Sequence, residues 1–246
     1  MTKKIGWFFL FFVFFLVSPS FAAESVSVND LLQGDVEATS EVSLFIFMTA
    51  LSFIPVAIIS LTAFTRIIVV LSMLRFAFGM QQTPPNVVLI VLSLFFTLFV
   101  MQPTIEDIET HAYKPYMDKE ITLQQSVQVA SESFKTFMIT QTREQDIKLM
   151  FELSKTELPK TAKEIRIMQL IPAFMLSELR TAFQIGFILF LPFLMIDLIV
   201  AGTLMSLGMI MVPPMTIAMP LKILVFVLVD GWSLVTQSLL SSFNIF

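Results

Sequence analysis

The chain has 246 residues, of which 56% are hydrophobic and 14% are charged, and its mean hydropathy is +0.85. A soluble domain needs more polar surface, so the composition predicts an integral membrane protein. The net charge of −4 argues against nucleic acid as a partner, and the lack of cysteine excludes disulfides and zinc–thiolate sites.

Residues 1–22 have the pattern of a cleaved secretory signal peptide. Two lysines precede a Phe-rich apolar run, and the small residues Ser20 and Ala22 place the cleavage site after Ala22. The run is short for a membrane span, although an uncleaved anchor is the alternative. Cleavage puts the mature N-terminus outside the cytoplasmic membrane, so the polar residues 23–41 are expected to form a flexible periplasmic segment.

Residues 42–101 are predicted to form a first hydrophobic helical hairpin. Its first run, residues 42–65, carries no charge, and as a helix it is about 36 Å long, which crosses a hydrocarbon core of about 30 Å. The helical pattern continues beyond this run, so we expect a kink at Pro55. After the turn sequence QQTPPN, the second run (residues 87–101) is marginal as an independent span.

Residues 102–182 hold most of the chain's charges, with both signs mixed. Apolar residues recur there at helical spacing, which predicts a small helical soluble domain, with Pro172 marking the return to apolar sequence. The carboxylates of Glu106 and Asp107 and the single histidine, His111, are interpreted as solvated surface groups. Two membrane crossings before this domain would return it to the periplasm.

Residues 183–246 are predicted to form a second hydrophobic hairpin with a methionine-rich tip. The tip is residues 208–215, GMIMVPPM, in which Pro213 and Pro214 make the turn. Six methionines lie between Met195 and Met219. They either fill the core or, if several copies surround an axis, form a constriction of flexible thioethers.

Ionisable residues inside the apolar runs are a second group of candidates. Each costs roughly 2.5–3.5 kcal/mol at the centre of a membrane, so such groups usually face protein or water. One interpretation is that they make inter-helix or inter-subunit charge contacts, including a pair across the second hairpin. The other is a proton or ion path through two of the carboxylates. The residues are Arg66, Arg75, Asp197, Lys222 and Asp230.

Arg66 and Arg75 also bear on topology, because they flank the turn of the first hairpin that the signal peptide places in the cytoplasm, as the positive-inside rule prefers. Gly202 and Ser206 have a small-xxx-small spacing that allows close helix contact, either within the hairpin or with another subunit. No nucleotide-binding loop, metalloprotease motif or nucleophile–base pair is present in the sequence. We therefore expect no enzyme, no cofactor and no metal site.

Three long stretches resemble signatures of the flagellar biosynthetic protein FliP family. They are FTRIIVVLSMLRFAFGMQQTPPN (64–86), IPAFMLSELRTAFQIGFILFLPFLMIDLIVAGTLMSLGMIMVPP (171–214) and MPLKILVFVLVDGW (219–232). The resemblance covers nearly all of the mature chain and is weakest in residues 24–41 and 102–165. Injectisome export proteins are a related branch, but the signal peptide and the charged domain resemble the flagellar branch.

The resemblance implies an all-α polytopic protein of the bacterial inner membrane and flagellar basal body. It implies a core pore-forming subunit of the type III export gate, present as a ring of five copies with FliR and FliQ. Unfolded flagellar subunits pass through the pore, and ATPase and proton-motive-force components supply the energy. A methionine-rich gasket maps onto Met209, Ile210 and Met211, and the isoleucine departs from the family's run of methionines.

Overall fold

The computed structural model describes residues 45, 48–49, 51–80, 83–156, 159, 161, 164–209 and 211–243. The predicted signal peptide with Ala22, the segment 23–41 and Ile210 lie outside the described residues. The chain divides into a unit that ends at Ser52 and a second unit that begins at Phe53, and the following account concerns the second.

The regular elements of the described residues are all helical, which confirms the predicted all-α class. A π-helical turn, Glu109–Tyr113, lies between the fourth and fifth helices. The helices are α1 (Ile54–Leu61), α2 (Phe64–Ala77), α3 (Asn86–Val100), α4 (Gln102–Ile108), α5 (Lys114–Met117), α6 (Leu123–Gln141), α7 (Glu144–Leu153), α8 (Ile167–Ser206), α9 (Pro214–Leu228) and α10 (Gly231–Ser241).

A sharp bend of 79° separates α1 from α2. The predicted kink at Pro55 is corrected by this geometry, because Pro55 lies in the first turn of α1, where a missing N–H costs no intrahelical bond. Threonine hydroxyls bond the backbone around the bend instead. Thr65 Oγ1 donates to the carbonyl of Ile59 at 2.7 Å, and Thr62 Oγ1 accepts from the N–H of Phe64 at 3.3 Å.

Within the described part of the chain, two helical stretches are long and apolar enough to cross a membrane. They are Asn86–Met117, with 32 residues, and Ile167–Ser206, with 40 residues. The number rises to four if two bent helix pairs each count as one span. These pairs are α1–α2 and α9–α10, and the second pair is bent by 70°. The second apolar run, marginal alone, is therefore the first part of a longer helical stretch.

The long helix α8 is the centre of the fold, and it packs against α2, α6, α7 and α9. It contains Pro172 and Pro192, so the predicted boundary after residue 182 falls inside one helix. The α2–α8 contact is close because Gly186 has no side chain. A Cβ there would lie 2.3 Å from Sδ and 3.1 Å from Cβ of Met73, so the Met73 side chain would have to move.

The charged segment forms helices α4–α7 and packs on the first part of α8. A capping box begins α6, in which Thr122 and Gln125 satisfy each other's backbone N–H groups. The start of α7 is held by the N–H of Arg143, which donates to Ser177 Oγ at 3.1 Å. The buried carboxylate of Asp146 pairs with Arg180 of α8 at 3.2 Å, so charge also joins these two helices.

Candidate functional site: buried charges and the methionine-rich tip

Arg66, on the buried face of α2, lies in an ion pair that the protein interior encloses. Its Nε donates to Glu178 Oε2 at 2.9 Å and its Nη2 donates to Glu178 Oε1. The side chains of Arg66 and Glu178 are 3% and 0% exposed. Such a bidentate pair has the geometry that makes a buried ion pair tolerable, because both charges are matched and both groups are hydrogen-bonded.

The remaining N–H groups of Arg66 join two further segments of the chain. Nη1 donates to the carbonyl of Ser242 at 2.8 Å and to its hydroxyl at 3.1 Å, and Nη2 reaches Gln141 Oε1 at 3.5 Å. The ring of Phe243 covers the guanidinium at 3.9 Å. One side chain therefore connects α2, α6, α8 and the segment that follows α10, using all five donors of an arginine.

Sequence reasoning selected Arg66 but missed Glu178. The isolation of Glu178 in the sequence could have identified it, since it is the one acidic residue between Ile167 and Ile196. A lone basic residue in one apolar run and a lone acidic residue in another are natural partners, because each needs a countercharge.

A second ion pair joins α8 to α9. Lys222 Nζ lies 2.7 Å from Asp197 Oδ2 and donates to the carbonyl of Ala77 at 3.0 Å. The structure thus brings together two of the residues predicted as charge contacts, across the second hairpin. The pair is unevenly enclosed, because the side chain of Lys222 is 6% exposed and that of Asp197 is 40% exposed.

The other two predicted charges lie at turns. Arg75 Nη1 donates to Asn86 Oδ1 at 2.6 Å and to the carbonyl of Pro84 at 3.3 Å, which ties the end of α2 to the start of α3. Asp230 is exposed between α9 and α10 and has a left-handed backbone, with φ of 50°. Among the described residues its carboxylate makes no contact with the Asp197–Lys222 pair.

The methionine-rich tip begins with a glycine turn that ends α8. Gly208 has φ of 72°, and two backbone bonds close the turn: Gly208 N to Met205 O at 3.1 Å and Met209 N to Leu204 O at 3.0 Å. This is a Schellman motif, in which a left-handed glycine follows the last helical residues. Pro213 and Pro214 then begin α9, where a proline fits the first turn. The tip is therefore a short connection with both ends defined.

The methionines of the tip point away from the chain's core. Met209 is 43% exposed, Met215 is 59% exposed and Met211 is 97% exposed. Core filling therefore does not explain Met209 and Met211 within a single chain, whereas Met215 lines the cavity described below. Met219, which is half-buried, lines the same cavity, and Ile210 lies outside the described residues.

Gly202 also faces open space. A Cβ placed there would meet no atom of the described residues within 4 Å, and Ser206 is exposed on the same stretch of α8. Of the two interpretations of this small-residue pair, packing inside the hairpin has no support in these contacts.

The surface candidates of the charged segment are solvated. His111 lies in the π-helical turn with a 65% exposed side chain, and its Nδ1 is 2.9 Å from Asp107 Oδ1. Glu106 accepts a hydrogen bond from Gln102 at 2.9 Å. Within the described ranges, no group of three or more His, Asp or Glu residues is placed to hold a metal ion.

A profile of the FliP family matches residues 47–239, which is most of the chain. The chain belongs to the FliP family. Flagellar biosynthetic protein FliP of Bacillus subtilis (strain 168) is 46% identical over 217 residues, which are 88% of this chain and 98% of the relative.

Two further FliP relatives come from distant bacteria. The protein of Caulobacter vibrioides is 46% identical over 229 residues, covering 93% of this chain and 86% of the relative. The protein of Aquifex aeolicus is 42% identical over 231 residues, covering 93% and 97%. The resemblance seen in the sequence motifs is thereby confirmed.

Proposed function

We propose that this chain is a core subunit of the export gate of the flagellar type III secretion apparatus, and that its methionine-rich tip seals the pore. Membership of the FliP family supports the role in flagellar export. The observation that carries the seal is the exposure of Met209 and Met211 on a connection whose ends are fixed by Gly208 and Pro213.

A seal for unfolded protein needs side chains that close on each other and still part. Methionine is unbranched and polarizable, so several copies can repack around different occupants while excluding water and ions. The gasket in this proposal is Met209, Ile210 and Met211. The branched isoleucine keeps the apolar character and is stiffer at χ1, so deformation falls mainly on the two methionines.

The surrounding assembly follows the family. Five copies with FliR and FliQ would form the ring, and unfolded flagellar subunits would pass along its axis. Large apolar side chains exposed on the second part of α8 support burial against neighbouring subunits and lipid. The chain itself performs no catalysis, and the ATPase and proton-motive-force components drive transport.

In this proposal the protein lies in the bacterial inner membrane. Residues 1–22 are the cleaved signal, 23–41 the periplasmic lead, 42–101 the first hairpin, 102–182 the periplasmic domain and 183–246 the second hairpin. The absence of cysteine from the sequence makes this testable. Glu132→Cys in α6 should react with a membrane-impermeant maleimide added from the periplasm, and protection until the inner membrane is opened would contradict the topology.

The test of the seal is a leak assay in cells that assemble the whole gate. Replacing Met209 and Met211 together with alanine should increase dye and ion uptake while flagellar secretion continues. The matched control replaces two other exposed methionines, Met117 and Met168, which lie outside the tip. No leak from an intact complex carrying the tip variant, or an equal leak from the control, would contradict the seal.

The alternative is an ion or solute transporter that uses Asp197 and Asp230. The contacts do not favour it, because Asp197 is paired with Lys222 and Asp230 lies at the α9–α10 bend without contact to that pair in the described part of the chain. Ion flux through the purified chain alone, lost in Asp230→Asn, would support this alternative over the export gate.

A further inference from the structure

A small cavity lies beside the Asp197–Lys222 pair, where the end of α2 meets α8 and α9. Its volume is about 170 Å³. Sites for drug-sized ligands or cofactors are larger, roughly 300–1,000 Å³, so this cavity has room for about one long side chain. Its lining residues are Phe76, Phe78, Gly79, Phe190, Asp197, Met215, Met219 and Lys222.

The carboxylate of Asp197 offers an available hydrogen-bond acceptor in this cavity. Lys222 contacts Oδ2, whereas Oδ1 makes none of the hydrogen bonds found among the described residues. The side chain of Asp197 remains 40% exposed although its partner is almost enclosed. If a neighbouring subunit covers the cavity, this oxygen loses access to water and needs a donor, so the cavity suits an occupant that brings one.

The walls of the cavity favour a cation on an aliphatic stem. The rings of Phe76, Phe78 and Phe190 offer aromatic surface, which attracts ammonium and guanidinium groups, and Met215 and Met219 offer adaptable apolar surface. Lysine and arginine bury their methylene stems against such walls while the charged end reaches a polar partner.

We propose that this cavity is a socket for a lysine or arginine side chain that projects from an apolar helix of a different membrane subunit. The charged end would donate a hydrogen bond to Asp197 Oδ1. The carboxylate would then contact two cations, Lys222 and the incoming side chain. The inference rests on the proposed function, because it requires that the chain assembles with other membrane proteins.

Among the described residues, the apolar helices of a second copy do not supply the required side chain. Helices α1, α2, α3, α9 and α10, and α8 beyond Gly186, carry three basic residues, and all three are engaged. Arg66 binds Glu178, Lys222 binds Asp197, and Arg75 binds Asn86 and Pro84. The exposed methionines of a neighbouring tip fit apolar walls but offer no donor to a carboxylate.

The experiment places a photoreactive phenylalanine analogue in the full chain, inside cells that assemble the export gate. Position Phe190 lines the socket, and Phe187, on the same helix and 60% exposed, is the matched control position. Illumination at Phe190 should join the chain to a different polypeptide, and mass spectrometry should place the adduct beside a lysine or arginine. An adduct with a second copy or with lipid, or no adduct, would overturn the proposal.

Charge dependence provides the second readout. Asp197→Asn should lower the Phe190 adduct by about tenfold or more, because it removes one partner of an enclosed charge contact, and should leave the Phe187 adduct unchanged. Since this variant leaves Lys222 unpaired, the double variant Asp197→Asn/Lys222→Met tests the same loss without an unmatched charge. An undiminished Phe190 adduct in the double variant would overturn the socket.

The outcomes separate the socket from the proposed function. If flagellar secretion requires the chain and Phe190 finds no basic partner, the socket is wrong and the export role stands. If secretion continues after deletion of the chain, the export role is wrong, whatever Phe190 contacts.

Discussion

The two halves of α8 are parts of one uninterrupted helix, yet they meet different surroundings. Residues 167–186 bury Leu170, Ala173, Phe174, Ser177, Glu178, Ala182 and Gly186, whereas residues 187–206 bury Phe193, Val200 and Leu204. The first half is packed by α2, α6 and α7 of its own chain. The second half leaves most of its apolar surface uncovered, which is what a surface reserved for lipid and other subunits requires.

The polar groups of the two halves differ in the same way. Glu178 has both oxygens bonded within the chain, and Gly186 accommodates a neighbouring side chain. In the second half, Asp197 has one oxygen bonded and Gly202 faces open space. The contrast indicates that residues 167–186 hold the chain's own fold together, whereas residues 187–206 leave most of their apolar surface open.

The strongest test of this contrast removes one charge from each half. Glu178→Gln leaves the enclosed Arg66 without a countercharge, so it should destabilise the chain by about 3–5 kcal/mol. Asp197→Asn also leaves an enclosed cation, Lys222, without its countercharge, but it should cost less, because Lys222 keeps its bond to the Ala77 carbonyl and lines an open cavity. Thermal unfolding of the purified chain in detergent measures both.

A double variant provides the control for this test. Arg66→Met combined with Glu178→Leu removes both charges and should recover most of the stability lost by Glu178→Gln. Equal losses for Glu178→Gln and Asp197→Asn would remove the proposed difference between the two halves.

The second test compares alanine at two glycines of α8. Gly186→Ala pushes a Cβ into Met73, so an overpacking cost of about 1–3 kcal/mol is expected. Gly202→Ala meets no atom of the described residues and should be neutral or stabilising by up to about 1 kcal/mol through helix propensity.

The same pair of variants separates folding from assembly. Gly202→Ala should reduce the amount of intact export complex on a native gel if its open face contacts another subunit. A fully assembled complex with Gly202→Ala would show that this face is not a close helix contact.

The smallest effect on stability is expected at the tip. Met211→Ala removes a side chain that is 97% exposed and should change the free energy of unfolding by less than about 0.5 kcal/mol. The melting temperature of the isolated chain checks this expectation. A loss above 1 kcal/mol would mean that Met211 packs within its own chain after all.

Much of the fold follows from hydrophobic periodicity. The apolar runs of the sequence become α2, α3, α8 and α9, and the repeating apolar residues from Leu123 onward become α6. The sequence predicts a bend at Pro55, whereas the structure has it between α1 and α2. Proline in the first turn of α1 costs no helical bond, and threonine hydroxyls replace the backbone bonds that are lost at the bend. Pro172, which marks the return to apolar sequence, lies inside α8, so that transition occurs without a break in the helix.

The candidate site was predictable where its parts are close in sequence. The proline pair predicted the turn of the tip, and the hairpin allowed Asp197 to meet Lys222. The partner of Arg66 was not found, because Glu178 lies 112 residues away and only the packing of α2 on α8 brings the two together. The exposure of the tip methionines also depends on how the helices pack, and the sequence pattern does not show this packing.

The contact between Arg66 and Ser242 has a consequence for biosynthesis. The two residues are separated by 176 positions in the chain. At roughly 5–20 residues per second, a ribosome needs about 10–35 s to make the segment between them, and Arg66 lacks this partner throughout that interval. Membrane insertion must therefore shelter an arginine that is already synthesised, and closure of its hydrogen bonds to Ser242 follows only when translation has passed α10.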